Sequence, residues 1–327
     1  MTAAHEFELR SFGGRVAPAL LASDRRIVVI GAGGWLGLAT IELLHGALGD
    51  SFTDRVRCYG STARTLSLRR GLTIAQAPLA DIRTLDNRPT IVLHFAFLTK
   101  DRVQGMDEDA YRAANRALSA TVLDALDAIG ATSVFVASSG AAREADNPAA
   151  NPALRLYGAL KREDEEAFAG WAQASGRTAI IARIFNVVGP YINKHQDYAL
   201  AAFILDALAG RPIGVRAPHR VVRGFVAIRE LMSLVFALLL EESGRVVRFD
   251  TGGEAQELAE VARLVANVLG PVPVERAAIV GNRIDHYVGN GAAYERLLAA
   301  HAIEPIPFAE EIRDTADFLV AAQSPSV

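Results

Sequence analysis

Tyr157 and Lys161 are the residues of this sequence best suited to transferring a proton. They lie four residues apart in the stretch Leu156–Lys161, and on an α-helix that spacing puts both side chains on one face, one turn apart. The phenol of tyrosine has a pKa of about 10, and a nearby ammonium group favours its ionised form. The pair could therefore exchange the proton of an alcohol or a ketone, although tyrosine and lysine at this spacing also occur on solvated helix faces.

A predicted strand at residues 133–140 ends in two serines, Ser138 and Ser139. Ligands of open parallel sheets bind outside the carboxyl ends of the strands. A serine hydroxyl at that edge could polarise a substrate oxygen beside Tyr157. The charged run that follows Lys161, residues 162–166, is interpreted as an ordinary solvated helix face.

A glycine-rich loop follows the first predicted strand, residues 27–30, and precedes a predicted helix at residues 38–46. Strand, glycine loop and helix in this order are typical of a dinucleotide site, because the glycines let the backbone approach a pyrophosphate and the helix start offers N–H donors. The candidate cofactor-binding residues in the loop are Gly31, Gly33, Gly34, Trp35, Leu36 and Gly37.

The second predicted strand, residues 55–60, is not followed by the acidic residue that commonly binds the ribose of NAD. Ser61, Thr62 and Arg64 stand there instead. Hydroxyl groups and a positive charge suit the 2′-phosphate of NADP, so the sequence favours NADP(H) over NAD. The alternative is that Arg64 is a solvated loop residue.

Further strands are predicted at 72–75, 90–96, 178–185 and 248–253, with long helices at 107–129 and 155–173. Strands that alternate with helices predict an α/β fold, here a Rossmann-type doubly wound parallel sheet with a smaller C-terminal substrate lobe. We expect an N-terminal extension at 1–24 and a dinucleotide-binding domain at 25–185, to which 225–252 returns. Residues 186–224 and 253–327 are expected to form the substrate lobe.

Composition narrows the class of protein. The 327 residues are 51% hydrophobic and carry a formal net charge of −3, which argues against a nucleic-acid-binding protein. The single cysteine, Cys58, suits a reducing compartment and is expected to fill the core. The longest apolar run, residues 231–240, is too short to span a bilayer, so we expect a cytoplasmic protein without a membrane span. No metal site is predicted.

Six motifs occur in an order that resembles the extended short-chain dehydrogenase/reductase family, in particular its branch of nucleotide-sugar epimerases and dehydratases. They are Gly-Ala-Gly-Gly-Trp-Leu-Gly at 31–37, Tyr-Arg-Ala-Ala-Asn at 111–115, Ser-Ser at 138–139, Tyr-Gly-Ala-Leu-Lys at 157–161, Arg-Ile-Phe-Asn-Val-Val-Gly-Pro at 183–190 and Arg-Gly-Phe-Val-Ala-Ile at 223–228. The resemblance covers about residues 26 to 320.

The resemblance implies a role for each matching residue. Tyr157 would be the catalytic acid and base, Lys161 would bind the nicotinamide ribose and lower the pKa of Tyr157, and Ser139 would hydrogen-bond the reacting oxygen. Tyr157, like Lys161, would also contact the cofactor. The remaining roles concern the cofactor and the substrate: Asp81, Ala96 and Asn115 would lie along the cofactor, Asn115 as a structural asparagine behind the site, while Asn186 and Arg223 would contact the phosphates of the substrate. A homodimer through the helices at 107–129 and 155–173 is also expected from the family.

The residues and the resemblance together indicate an NAD(P)-dependent enzyme that moves hydride at a secondary alcohol or ketone, with a nucleotide sugar as the leading substrate. Gly140, Ala141 and Ala142 stand where dehydratases carry an acidic pair, so dehydration is disfavoured. Two alternatives stay open: an NADPH-dependent ketoreductase of a lipid or small hydroxyketone, and a non-catalytic cofactor-binding regulator.

Overall fold

The central element is an eight-stranded sheet in the order β11-β7-β6-β5-β1-β2-β4-β3. The computed structural model describes residues 11–99 and 106–323. All neighbouring strands of this sheet run parallel except β3, which is antiparallel to β4. The strands are β1 (Arg26–Ile30), β2 (Val56–Gly60), β3 (Arg64–Ser67), β4 (Thr73–Pro78), β5 (Thr90–His94), β6 (Ala131–Ser139), β7 (Thr178–Ile184) and, later in the chain, β11 (Val246–Asp250).

Helices cover both faces of the sheet. They are α1 (Val16–Ala22), α2 (Trp35–Leu48), α3 (Phe52–Arg55), α4 (Glu108–Leu126), α5 (Pro152–Ser175), α6 (Ala199–Leu208), α7 (Ile228–Leu240), α8 (Leu258–Leu269), α9 (Gly291–Ala300) and α10 (Phe308–Gln323). Side chains of α1, α2 and α7 pack on one face, and those of α4 and α5 pack on the other. The predicted doubly wound α/β fold is thereby confirmed.

The strand β1 shows why its sequence is apolar without interruption. Ile27 and Val29 belong to the core on the side of α2, whereas Val28 and Ile30 belong to the core on the side of α4 and α5. Successive side chains of a strand point to opposite faces, and both faces are covered. A continuous apolar run is therefore required here, as in other buried parallel strands.

A second lobe contains the short strands β8 (Asn186–Val188), β9 (Ile213–Val215), β10 (Arg220–Ala227), β12 (Ala255–Glu257), β13 (Val274–Arg276) and β14 (Ile284–Tyr287); its predicted role in binding substrate stays a prediction. β10 is the centre of a four-stranded sheet with β8, β12 and β14, and β9 pairs with β13. The core of this lobe is continuous with the core on the α2 side of the main sheet. The strand β14 pairs with β10, and this pairing brings Tyr287 beside Ser139 at the end of β6.

The described part of the N-terminal extension, from residue 11 onward, packs against the main domain. The ring of Phe12 lies 5.1 Å from that of Phe236 on α7, and Val16 and Leu20 of α1 are buried. None of the described helices is both long and apolar enough to cross a membrane. Cys58 is buried and unpaired, as its place in β2 predicted.

Two buried acids link α7 to α10. Glu230 and Glu311 are almost completely buried, together with Tyr294, and one carboxylate oxygen of Glu230 accepts a hydrogen bond of 2.7 Å from the backbone N–H of Ile306. Burial raises the pKa of Glu230. Burial, and then the neighbouring Glu230, raise the pKa of Glu311 well above its usual value.

These raised pKa values predict a stability that falls as the pH rises. Above the usual carboxyl pKa the unfolded chain releases protons that the folded chain retains, so the free energy of unfolding falls by about 1.4 kcal/mol per pH unit and per group over that range. Replacing Glu311 by glutamine should flatten this dependence and raise the melting temperature most at alkaline pH. Thermal unfolding from about pH 5 to about pH 9 measures it.

The matched control is Glu295→Gln on α9, whose side chain is exposed. It should leave the pH dependence of the melting temperature unchanged. If the melting temperature changes with pH by the same slope in wild type and in Glu311→Gln, the Glu311 carboxyl titrates normally, contrary to this prediction.

Candidate active site

The candidate catalytic residues meet at the carboxyl end of β6. The helix α5 begins after Asn151, whose side chain caps it by accepting a hydrogen bond of 2.9 Å from the backbone N–H of Ala153. Tyr157 follows in the second turn, and Ser139 is the last residue of β6. The tyrosine and the serine are brought together because β6, a short helical turn at 140–144 and α5 follow one another along the chain.

The side chain of Tyr157 is half-buried. Its ring packs edge-on against the ring of Phe97, with centroids 5.6 Å apart. Burial raises the pKa of Tyr157 above its usual value, and the hydroxyl of Ser139 acts in the opposite direction through a hydrogen bond. The expected lowering of this pKa by Lys161 is not found in the structure of the chain alone, because burial outweighs the other effects.

The side chain of Lys161 is buried. Its Nζ donates a hydrogen bond of 2.8 Å to the backbone carbonyl of Ala137 and lies 3.7 Å from the centroid of the Phe97 ring. Burial lowers the pKa of Lys161 to about 8, although Asp164 and Glu165 act to raise it. A lysine with this pKa stays largely protonated at neutral pH and can offer N–H donors to a bound cofactor.

The interpretation of residues 162–166 as a solvated face is wrong for two of them. Asp164 is 4% exposed and Glu165 is 0% exposed. Asp164 accepts a hydrogen bond from Ser119 and lies 3.6 Å from the imidazole of His94. Positions 161, 164, 165 and 168 share one face of a helix, so this spacing was the signal that could have revealed the buried acids.

Glu165 lies beneath the end of the main sheet. Its carboxylate accepts hydrogen bonds of 2.9 and 2.7 Å from Arg183 on β7 and one of 2.5 Å from the hydroxyl of Ser138. Paired hydrogen bonds of this kind hold a buried charge in place. Glu165 therefore fixes α5, and with it Tyr157, against the carboxyl ends of β6 and β7.

The glycine loop lies between β1 and the start of α2, at the carboxyl edge of the sheet. Gly31 has a φ of 83°, and a side chain there would collide with the backbone of Ala96, 2.7 Å away. No side chain caps α2, and its first turn carries no acidic residue. An uncapped helix start with close backbone approach fits the pyrophosphate of a dinucleotide. Gly33 and Gly34 complete the loop, and Trp35, Leu36 and Gly37 form the first turn of α2. Contacts of these residues with a cofactor stay a prediction.

Asn115 supports the segment after β5 that faces the loop. Its side-chain oxygen accepts a hydrogen bond of 2.9 Å from the N–H of Leu98, and its amide nitrogen donates to the carbonyl of Tyr111 at 3.2 Å. The hydroxyl of Tyr111 in turn donates to the carbonyl of Leu98 at 2.7 Å. Asn115 is therefore a buried structural hub that holds the segment next to Ala96.

Ser61, Thr62 and Arg64 are exposed after β2, and Asp81 is exposed after β4. Arg64 reaches back over the glycine loop, since its guanidinium occupies the space that a side chain at Gly33 would need. The strand β3, which carries Arg64, was not predicted. A helix usually connects two parallel strands such as β2 and β4, but here β3 lies in that connection. Its first residue, Arg64, lies over the glycine loop.

The two predicted substrate residues lie in the second lobe. The amide nitrogen of Asn186 donates to the carbonyl of Gly224 at 3.0 Å. The guanidinium of Arg223 forms a two-point pair with Asp285, at 3.1 and 2.9 Å, and this pair lowers the pKa of Asp285. Contacts of Asn186 and Arg223 with a substrate stay a prediction.

Tyr287 on β14 is a site residue that sequence reasoning missed. Its hydroxyl lies 3.4 Å from the hydroxyl of Ser139, its ring lies 4.7 Å from the ring of Phe185, and Arg223 lies over it at 5.9 Å. A side chain at Gly140 would collide with Tyr287 and Phe185. No local pattern marks Tyr287, because it reaches the site through the pairing of β14 with β10.

Residues 27–248 match the model of the NAD dependent epimerase/dehydratase family. The match spans more than half of the chain and includes the glycine loop, Ser139, Tyr157 and Lys161. The chain belongs to this family. The protein is therefore an enzyme of the NAD-dependent epimerase/dehydratase type, and the family expected from the six motifs is confirmed.

Several solved structures share the fold of this family member. A UDP-N-acetylglucosamine 4-epimerase from Methanobrevibacter ruminantium, in complex with UDP-N-acetylmuramic acid, is 18% identical, with a TM-score of 0.69, and the match covers 92% of this chain and 100% of that one. A UDP-glucose 4-epimerase from Thermus thermophilus, in complex with NAD, is 23% identical, with a TM-score of 0.66 and coverage of 91% and 99%.

A UDP-glucuronic acid 4-epimerase from Bacillus cereus, with UDP-glucuronic acid and NAD bound, is 16% identical, with a TM-score of 0.64 and coverage of 91% and 99%. At these identities the likeness establishes a common fold. The epimerase/dehydratase family thus fixes the type of enzyme, while the substrate must be argued from the site.

Proposed function

We propose that this protein is an NAD(P)-dependent epimerase of a nucleotide sugar, acting by reversible hydride transfer at a carbinol carbon. The observation that carries the proposal is the Ser139 hydroxyl, flanked by the phenols of Tyr157 and Tyr287 at the carboxyl edge of the sheet. Ligands of this architecture bind outside that edge. The similar structures that hold UDP-sugars support a substrate of the same class.

The residues of the chain supply proton transfer and orientation. Tyr157 takes the hydroxyl proton of the sugar as the carbinol is oxidised and gives it back when the carbonyl is reduced. Ser139 holds the reacting oxygen through a hydrogen bond, and the positive charge of Lys161 favours the phenolate. A nicotinamide cofactor bound at the glycine loop would supply reversible hydride transfer, and epimerisation would require the hydride to return to the opposite face of the carbonyl, so that no reductant would be consumed overall.

The segment after Ser139 argues against a dehydratase. Dehydration needs further acid and base groups beside the tyrosine, and positions 140–142 carry glycine and two alanines. An acidic side chain at Gly140 would collide with Tyr287 and Phe185. Tyr287 of the second lobe therefore occupies the space that an acidic side chain at position 140 would need.

The Arg223–Asp285 pair favours a second candidate, an NADPH-dependent reductase whose substrate has no diphosphate. A diphosphate would have to compete with the Asp285 carboxylate for Arg223. The absence of an acid at 61–64 is consistent with NADPH. In such a reductase Tyr157, Ser139 and Lys161 would keep the same roles, and the reduced cofactor would be consumed.

Turnover of separate UDP-sugars tests the proposal. The purified protein is incubated with UDP-glucose, UDP-N-acetylglucosamine or UDP-glucuronic acid and a catalytic amount of NAD or NADP, and the products are followed by proton NMR. We expect at least one sugar to reach an equilibrium mixture of epimers without net change in the cofactor. A parallel assay supplies stoichiometric NADPH and small hydroxyketones that lack a diphosphate. Product that forms there in step with NADPH oxidation, with no epimerisation of any UDP-sugar, would identify the reductase instead, and the Tyr157→Phe protein is the inactive control in both assays.

A homodimer is proposed from the family resemblance. The helices α4 and α5 pack side by side, and Arg116 of α4 pairs with Glu163 of α5 at 2.8 and 2.9 Å. The outer faces of these helices are the proposed contact surface. Sedimentation of the purified chain measures the oligomeric state.

A further inference from the structure

Gln76, near the end of β4, has a side-chain oxygen that is buried without a hydrogen-bond partner. The residue is 4% exposed. Its amide nitrogen donates a hydrogen bond of 2.8 Å to the carbonyl of Thr62, which fixes which end of the amide is the oxygen. Within the described residues, no donor reaches Oε1. Buried carbonyl groups without a donor are uncommon and costly, so a ligand is the natural partner.

The free oxygen points toward the glycine loop. A Cβ built on Gly33 would lie 3.2 Å from Oε1, and a Cβ built on Gly60 would lie 2.4 Å from the amide carbon of Gln76. The amide therefore lies between the loop and the end of β2. In this architecture the end of β2 is where the adenosine ribose of the cofactor is recognised, and where this sequence has no acidic residue.

Arg64 covers the same place from the solvent side. Its guanidinium lies across Gly33, so close that a Cβ there would overlap it. The side chain is exposed, and among the described residues no ion pair or hydrogen bond holds the guanidinium. Arg64 can therefore move aside at little cost, and doing so uncovers Oε1 of Gln76.

We propose that Gln76 and Arg64 together recognise the adenosine ribose and let the enzyme use both NAD and NADP. Oε1 of Gln76 accepts a hydrogen bond from the ribose 2′-hydroxyl of NAD, in place of the missing carboxylate. Because the amide is neutral it does not repel a 2′-phosphate, and Arg64 pairs with that phosphate when NADP binds. Gln76 thus restores the binding of NAD that Ser61, Thr62 and Arg64 alone would disfavour.

This inference rests on the proposed function and is tested by binding alone. The dissociation constants of NADH and NADPH are measured by fluorescence titration for wild type, Gln76→Glu, Gln76→Leu and the exposed-site control Gln173→Glu. We expect the two wild-type constants to agree within about 10-fold. Gln76→Glu should keep NADH binding and weaken NADPH binding by roughly 30-fold or more, through repulsion of the 2′-phosphate.

Gln76→Leu removes the acceptor and should weaken NADH binding by about 10-fold while changing NADPH binding less than about 3-fold. Gly60→Ala is a second route to the same result, because the new methyl group must push the Gln76 amide aside. This variant keeps the inference testable if a carboxylate at position 76 prevents folding, which circular dichroism would reveal.

The outcomes separate the two proposals. A wild-type protein that binds neither cofactor overturns the proposed function and this inference with it. A wild-type protein that binds both cofactors, with a ratio that Gln76→Glu, Gln76→Leu and Gly60→Ala leave unchanged, overturns the inference alone. A wild-type preference beyond about 100-fold for either cofactor also overturns it.

Discussion

Replacing Tyr157 by phenylalanine should lower the turnover rate by about 10³-fold and leave cofactor affinity nearly unchanged. General acid and base groups contribute roughly 10²- to 10⁴-fold, and the variant removes only the hydroxyl while the ring keeps its contact with Phe97. The measurement is the rate of product formation under saturating substrate, with cofactor affinity determined separately by titration.

Tyr287→Phe is the matched control, because the site holds two phenols. Both lie beside Ser139, but only Tyr157 has the lysine one helical turn away. We expect Tyr287→Phe to reduce the rate by less than about 10-fold. If Tyr287→Phe loses most of its turnover rate while Tyr157→Phe stays active, Tyr287 rather than Tyr157 is the catalytic acid and base.

The pH dependence of the wild-type turnover rate tests the same assignment of Tyr157 as the base. Burial raises the pKa of Tyr157, so the base form is scarce at neutral pH unless the bound cofactor and Lys161 favour it. The rate of the oxidation step should therefore rise with pH as the phenolate forms. Tyr157→Phe should lose this rise, whereas Tyr287→Phe should keep it.

Gly158→Ala should damage both the stability and the activity of the enzyme. A Cβ at position 158 would lie 2.1 Å from the carbonyl oxygen of Ala141, a contact with backbone that no side-chain rotation can relieve. The helix α5 and the segment after Ser139 would have to separate by about 1 Å, a displacement that can cost roughly 10²-fold in rate. Overpacking of this kind typically costs about 1–3 kcal/mol of stability.

Gly170→Ala on the same helix is the matched control. The position is exposed, and no atom lies within 4 Å of a Cβ built there. Alanine is the better helix former by about 1 kcal/mol, so Gly170→Ala should raise the melting temperature and leave the rate unchanged. Urea unfolding and the turnover assay distinguish the two variants. A stabilised, fully active Gly158→Ala protein would show that α5 and the segment at 140–144 do not need their close contact.

The sequence predicted most reliably the elements whose patterns are local. β1, the glycine loop and α2 were predicted because an apolar run, closely spaced glycines and a helical stretch follow one another without interruption. Strand ends and helix ends shifted by a few residues; α2, for example, begins at Trp35 rather than Leu38. The family followed from motifs of this local kind and is confirmed by the match at residues 27–248.

Two errors had non-local causes. The strand β3 (Arg64–Ser67) has one buried residue, Leu66, so its sequence lacks the alternation that marks a strand, and it forms by pairing with β4. Asp164 and Glu165 were interpreted as solvated because charged residues usually are. Ser119, Ser138 and Arg183, from three other elements, donate hydrogen bonds to these carboxylates. Oδ2 of Asp164 has no hydrogen-bond partner among the described residues and lies 3.6 Å from His94.

The sequence by itself determined the α/β architecture, the family and the placement of Tyr157 and Lys161 one turn apart on one helix, since each rests on a spacing within one helix or one strand–loop–helix unit. Only the tertiary structure decided that Tyr287 joins Ser139, that Arg223 is paired with Asp285, and that Gln76 faces the glycine loop beneath Arg64. These contacts join residues on different strands and lobes. Their geometry depends on how the second lobe packs on the sheet edge and how β3 folds back on β4, and no local pattern encodes either.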